Sequence, residues 1–407
     1  MTFYKKMDEI AIIGLGIVDA LGEDININWN RYLQAQSPIS EIKNFDKKTY
    51  PAIKINGAFQ INDAEIKLDF LDNTEQKNLD RYSIIGLYSA NRAVLDANIM
   101  NKTNTGVIFG SLGGPQKLIL ENVSKLIDNK RLSPRQALAA QRDNLGYLIC
   151  KKFGFKGINL CMTSACATGI LMIDYAVRLL QAEVYDQILV GACDVMVDPI
   201  DIFMFQSIGA LDLREPPISS PFDKDRKGFV MGEGACSLVL KSLPKAEKDG
   251  DNVLAVIKSI GFATELYHET GMDPAAIGAR QSIDMALKYA NLQRDQISII
   301  SCHATSTPNG DPSEYNIIKE YFPNSALMAL KANIGHTMSA CGLIELAYLI
   351  QSMNMNKIGR IANLKNPIDI LISDNHKREF PNFKYGIKNS FGFGGKCAAV
   401  VVEKFDG

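Results

Sequence analysis

The 407-residue chain carries 44 Lys and Arg against 45 Asp and Glu, and 46% of it is hydrophobic. That composition is globular, and the length suits two large folding units or one large double-layered domain. A formal net charge of -1 gives no electrostatic reason to expect nucleic acid or an anionic membrane as the main partner, so a charge-guided partner must be met by a local patch.

The chain opens "MTFYKKMDEIAIIGLGIVDALG". Asp8 and Glu9 interrupt its apolar stretch and no small-residue cleavage site follows, so it reads as a first strand and turn rather than a signal segment. No uncharged apolar run approaches the roughly 18–20 residues that span a bilayer. The expectation is a soluble cytoplasmic protein with no membrane partner. Eight scattered cysteines (150, 161, 166, 193, 236, 302, 341, 397) show neither a CxxC pair nor metal-ligand spacing. They read as reduced thiols, mostly buried, with no metal site among them.

Short β-rich runs then alternate with segments of helical period. "EIAIIGLGIV", "NTGVIFGS", "GINLCMTSA", "DQILVGACD" and "ACSLVLKSL" are followed by "VLAVIKSIGFAT", "ISIISCHA" and "AAVVVEK". Such alternation predicts an α/β protein whose sheets are covered by helices. The nearest thing to a boundary is the charged stretch "KSLPKAEKDGDNV" at 241–253, with Pro244 and Gly250. On either side of it the chain repeats itself: Gly169-Ile-Leu with Tyr175 after one Ser-Ala-Cys matches Gly342-Leu-Ile with Tyr348 after another. An internal duplication is the reading this supports.

Cys166, in "TSACATG", joins the strand-like "GINLCMT" to residues 167–182, where Ile170, Ile173, Val177 and Leu180 keep a helical period and Asp174 pairs with Arg178 four residues on. At a helix start, free N–H groups and the dipole favour thiolate and can hold an oxyanion; a buried structural cysteine is the alternative. The chain has four histidines, at 268, 303, 336 and 376. His303 ends a strand in "SIISCHATSTPNGD", and His336 lies in "LKANIGHTMSACG" five residues after Lys331. A Cys/His/His set suits acyl transfer through a thioester followed by reaction at a second carbonyl. In "KNSFGFGGKC", Gly392, Gly394 and Gly395 permit close backbone approach, so the Phe393 N–H could complete an oxyanion site; a plain hairpin turn is the alternative. The segment lacks GxGxxG spacing and runs into a strand, so it is no dinucleotide cradle.

Together, "TSACATG", "PFDKDRKGFVMGEGA", "HATSTPNGD", "KANIGHTMSACG" and "NSFGFGG", in this order over nearly the whole chain, resemble the elongating β-ketoacyl-acyl carrier protein synthases and the related polyketide ketosynthases. The resemblance implies the thiolase fold: duplicated βαβαβαββ halves, here 1–250 and 251–407, forming a five-layered α-β-α-β-α core. It implies decarboxylative Claisen condensation of malonyl-acyl carrier protein with an acyl thioester on Cys166. His303 and His336 would assist decarboxylation by donating Nε2–H bonds to the enolate oxygen, and Lys331 with Glu345 would order the site from beneath. Cys166 and Phe393 would supply oxyanion N–H groups, Phe393 also gating. Thr305 and Thr307 would grip the pantetheine arm, and Leu112 and Phe229 would line the acyl pocket. No free cofactor is implied, because substrates arrive on acyl carrier protein. Carrier proteins are acidic, so Lys77, Arg81, Arg214, Lys224, Arg226 and Lys227 are the candidate docking cations. A homodimer is implied, with a heterodimer as the other arrangement.

Three positions depart from the family's pattern: Ala304 follows the first histidine where Gly is usual, Lys396-Cys397 follow the glycines where Thr-Asn is usual, and Lys227 stands for an Asp. They point away from a generic housekeeping substrate. Two competing readings are a CoA-dependent thiolase, which would need a second catalytic Cys such as Cys397, and a non-catalytic chain-length-factor-like partner, which would lack Cys166. Cys341, in the second Ser-Ala-Cys, is read as a small packed side chain.

Overall fold

In the computed structural model, residues 9–99, 102–373, 380 and 382–406 are described; Met1–Asp8 and His376 lie outside them. The strands are β1 (Ile10–Asp19), β2 (Ile39–Glu41), β3 (Gly57–Phe59), β4 (Thr105–Gly110), β5 (Asn159–Met162), β6 (Gln187–Asp194), β7 (Gly234–Ser242), β8 (Ala255–Thr264), β9 (Ile297–Ser301), β10 (Ala326–Met328), β11 (Tyr385–Gly392) and β12 (Lys396–Glu403). Apart from a small β2–β3 pair, they form one sheet in the order β10-β9-β11-β12-β8-β1-β7-β6-β4-β5. The two halves of that order meet where Ile10–Ile12 pair with Ala255–Ile257. Each half, counted in its own chain order, runs third, second, fourth, fifth, first, and its parallel and antiparallel pairings repeat too.

Helices cover both faces of each half. Arg81–Asp96 and Asn144–Phe153 lie outside the first half, and Ile277–Ala290 and Gly310–Tyr321 outside the second. Thr168–Gln181 and Cys341–Met355 pack between the halves, giving five layers. A central helix meets apolar neighbours all round, which is why "CGLIELAYLI" has no polar face except Glu345. Leu343, Ile344, Leu346 and Leu349 are completely buried, each stabilising the fold by roughly 1.5–3 kcal/mol.

The two central helices touch at the glycines of the sequence repeat. A Cβ on Gly169 would meet Leu343 N at 3.0 Å, and one on Gly342 would meet Gly169 Cα at 3.6 Å. The repeat therefore marks where the symmetry-related helix starts pack against each other, bringing Cys166 and the loop of His336 together.

The stretch 241–253 contains a helix, Leu243–Asp249, with Pro244 in its first turn and Gly250 closing it at φ 71°. The β10 and β11 strands carry no clear signal of their own: β10 is three residues long, and β11 mixes Lys388, Asn389 and Ser390 into a buried strand.

Candidate active site

Ala165 has φ 47°, a left-handed turn that stops the β5 approach and sets Cys166 two residues before the helix Thr168–Gln181. Asp174 and Arg178 pair on that helix at 2.7 Å, as their spacing predicts. Cys166 Sγ lies 3.2 Å from His336 Nε2. The Met338 N–H donates to His336 Nδ1 at 3.1 Å, which leaves the ring proton on Nε2, aimed at the sulfur. His303 packs edge-on to His336 with ring centroids 5.6 Å apart. Both imidazoles are held well below the ordinary histidine range, first by burial and then by the Lys331 ammonium. Both rings are therefore neutral, and His336 presents its Nε2–H to the sulfur.

Burial opposes the pull of the helix start towards thiolate. Burial pushes the Cys166 thiol up to about 11 against the pull of Lys331, with Glu345 and Asp194 adding to the rise. Desolvation outweighs the helix start, so the N–H groups and His336 act on charge as it develops. Among the described residues the Phe393 N–H finds no acceptor, and the Cys166 N–H meets its own sulfur. Gly392 lets the loop of Phe393 approach: a Cβ there would sit 3.1 Å from Cys166 N. Gly394 N donates to Glu269 O and Glu265 N to Gly395 O, both at 2.7 Å, tying that loop to 265–269. Lys396 reaches back to Phe393 O at 3.5 Å.

Beneath the histidines, Lys331 Nζ donates to Glu345 Oε1 at 2.5 Å and to His303 O at 2.6 Å. Lys388 Nζ lies 2.6 Å from Glu345 Oε2. Glu314 accepts from the N–H groups of His303 and Ala304 at 2.8 and 2.7 Å, which holds Ala304 at φ 31°, a conformation that explains why glycine is the easier residue there. Asp194, at the end of β6, accepts from Leu112 N, Gly113 N, Ser111 Oγ and Ser339. It thereby fixes the Leu112 loop against the one that follows His336. Sequence reading missed Lys388, Glu314 and Asp194. A lysine inside the strand "YGIKNSF" was the legible signal for the first; the other two had none.

Leu112, Cys166, Phe229, His303, Thr305, Thr307, His336 and Phe393 all line one cavity of about 760 Å³. Phe229 stands edge-on to His336 at 5.1 Å and to Phe205 at 5.5 Å. The Thr305 and Thr307 hydroxyls are 3.0 Å apart on its wall. Cys341 lies behind the site, its Sγ donating to Cys166 O at 3.5 Å, and Cys397 is a buried residue of β12 outside the compact donor set. Cys166, His303 and His336 bring their donor atoms within 4.8 Å of one another. That is compact enough for a soft divalent cation, but the two ammonium groups beneath oppose one.

The docking cations divide. Lys224 and Lys227 are exposed beside Arg226, whose guanidinium bonds to Thr307 O, Asp223 O and Pro308 O and is packed at the cavity mouth. Arg214 is occupied by Asp212, Ile218 O and Asp225 O. Arg81 is clamped between Asp63 and Glu233. Lys77 is exposed, but it and Arg81 line a different cavity of about 1160 Å³. Intramolecular bonds thus engage the guanidinium groups of Arg81, Arg214 and Arg226.

Duplicated halves around a buried Cys/His/His site define an acyl-transferring thiol enzyme of the thiolase fold. The β-ketoacyl synthase N-terminal domain matches residues 7–246 and the β-ketoacyl synthase C-terminal domain residues 254–365. The chain is 30% identical over 411 residues to 3-oxoacyl-[acyl-carrier-protein] synthase 2 of Coxiella burnetii, covering 97% of this chain and 98% of that one. It belongs to the β-ketoacyl synthase family. Among solved structures, a β-ketoacyl synthase from Burkholderia phymatum superposes with a TM-score of 0.88 at 24% identity, covering 98% of this chain and all of that one. A type II polyketide ketosynthase, solved in complex with its acyl carrier protein and bound to the hexaketide, gives 0.86 at 22% identity with the same coverage.

Proposed function

We propose that the protein is a 3-oxoacyl-acyl carrier protein synthase, an acyltransferase that extends a fatty acyl, polyene or polyketide chain by two carbons. The observation that carries this is Cys166 Sγ 3.2 Å from a His336 Nε2–H inside a cavity shared with His303 and the Thr305/Thr307 hydroxyls. Cys166 sulfur attacks the acyl thioester carbonyl, the Cys166 and Phe393 N–H groups hold the oxyanion, and the pantetheine thiol leaves with the proton. Malonyl-acyl carrier protein then enters past Thr305 and Thr307. Its carboxylate departs as CO₂, and the two Nε2–H groups take the enolate oxygen. The carbanion attacks the acyl-Cys166 carbonyl, the C–S bond breaks, and the departing Cys166 thiolate takes a proton from solvent to regenerate the thiol. Neutral histidines suit this step, because an imidazolium would protonate the carbanion. Substrates travel on the carrier's own prosthetic arm, so no free cofactor takes part.

The division of labour follows the halves: 1–250 supplies the nucleophile and 251–407 both histidines. Acyl carrier protein is the partner, docking at the cavity mouth through Lys224 and Lys227, with the partly exposed Arg214 contributing its charge after its intramolecular bonds. Lys77 faces the other cavity, and Arg81 and Arg226 serve the fold. The assembly is a homodimer in the cytoplasm, and the intact Cys/His/His set argues against a non-catalytic chain-length partner.

Incubation with malonyl-free acyl-carrier substrates from C2 to C18, saturated and unsaturated, followed by mass spectrometry, is expected to show one acyl group on the Cys166 peptide with a defined length preference. No acyl adduct with any chain would overturn the assignment. Charge reversal at Lys224 and Lys227 together is expected to raise the KM for carrier-bound substrate about tenfold or more, with a smaller effect on a free pantetheine thioester. Equal effects on both substrates would remove these lysines from the docking surface.

A further inference from the structure

β11 pairs in parallel with β9 and antiparallel with β12. Along it, Ile387 packs into the outer cluster of the second half, and Lys388, next in the alternation, turns towards the central helices. Its side chain is completely buried. The ammonium lies 2.6 Å from Glu345 Oε2 as an ion pair without hydrogen-bond alignment, and it donates to the carbonyls of Asn389 and Cys302. Glu345 therefore stands between two lysines, Oε1 on Lys331 and Oε2 on Lys388. Asn389, the next residue, donates to Glu314 Oε1 at 3.3 Å. Glu314 accepts from two backbone N–H groups, one on each oxygen, and these bonds, with Lys388, favour its carboxylate against the burial that pushes its pKa up.

We propose that Lys388 is a positioning residue of the active site: its ammonium completes a neutral buried set, Lys331 and Lys388 with Glu345 and Glu314, beneath the two histidines and keeps both rings uncharged. A set with only Lys331 would carry one excess negative charge beneath two imidazoles and a thiol. That charge would draw a proton onto a histidine or onto a carboxylate. Lys388 acts on both rings through space, lowering His303 and His336 alike. The other ionisable groups around the site are Lys331 and Cys341 from the segment around the second histidine, Cys302 just after β9, Asp311 and Glu314 from the helix Gly310–Tyr321, Asp194 from β6, Glu345, and Cys166. Of these groups, Lys331 and Lys388 are the cations. The proposal rests on the condensing-enzyme reading for its purpose but not for its test.

The test is proton NMR of the histidine rings in the substrate-free enzyme between pH 8 and 5.5, with His303 and His336 assigned through His303→Asn and His336→Asn. In the wild type neither ring is expected to titrate. In Lys388→Met, one ring is expected to titrate within the range, its midpoint raised by about one pH unit or more. Adding Glu345→Gln removes the excess negative charge and is expected to return both rings to the neutral state. Unchanged ring resonances in folded Lys388→Met overturn the proposal. If Lys388→Met does not fold, recovery of folding by the added Glu345→Gln supports the charge-completing role, and failure to recover overturns it. The readout uses no substrate, so it succeeds or fails separately from acylation of Cys166.

Discussion

Cys166→Ala is expected to lower condensing activity by at least about 10³-fold while leaving the fold intact. The side chain is small, and His336 keeps its Met338 N–H bond without it, so the thermal transition should move little. Retained condensation in this variant would refute the covalent mechanism. Iodoacetamide gives the matching test on the wild type. Loss of activity should follow modification of Cys166 alone, and the rate should climb about tenfold per pH unit to at least pH 9. The sign follows from the raised thiol: the reactive thiolate fraction grows as pH rises towards about 11. A plateau below pH 9 would mean a thiolate stabilised at rest. Cys341, completely buried with its sulfur on Cys166 O, should label only on unfolding.

Glu345→Leu is expected to produce the largest loss of stability of any single substitution at the site. It is isosteric enough to fill the volume, yet it strands two ammonium groups, Lys331 and Lys388, whose side chains are 1% and 0% exposed. Removing one partner of a buried pair costs about 3–5 kcal/mol, and here one carboxylate serves two lysines. The urea midpoint should fall accordingly, or the protein should be recovered only as aggregate. Adding Lys388→Met should restore part of the loss, since one stranded charge then remains, and this coupling separates electrostatics from packing. An unchanged midpoint in Glu345→Leu would show that the lysines are neutral in the folded protein.

Much of the site was legible in the sequence because its pieces sit at junctions that local chemistry marks. Cys166 falls where a strand pattern turns into a helical period, His303 where a strand ends in hydroxyls, and Phe393 inside a run of glycines. The two central helices were legible through their shared Gly and Tyr positions, and the structure places those glycines in contact. Which arginines are engaged within the chain was not legible, because a guanidinium looks the same in sequence whether it faces solvent or, like Arg81, is clamped by Asp63 and Glu233.

By itself, then, the sequence determined the alternation of strands and helices, the duplicated pattern and the residue types that do the chemistry, since periodicity and turn residues act over a few neighbours. The tertiary structure decided the protonation states. Whether Cys166 rests as thiol, whether the imidazoles are neutral, and how many charges balance Glu345 depend on burial and on Lys388, Glu314 and Asp194. Those residues come from β11, the helix Gly310–Tyr321 and β6, far apart in the chain. Desolvation and Coulomb forces act through space at a few ångströms, and only the folded chain sets those distances.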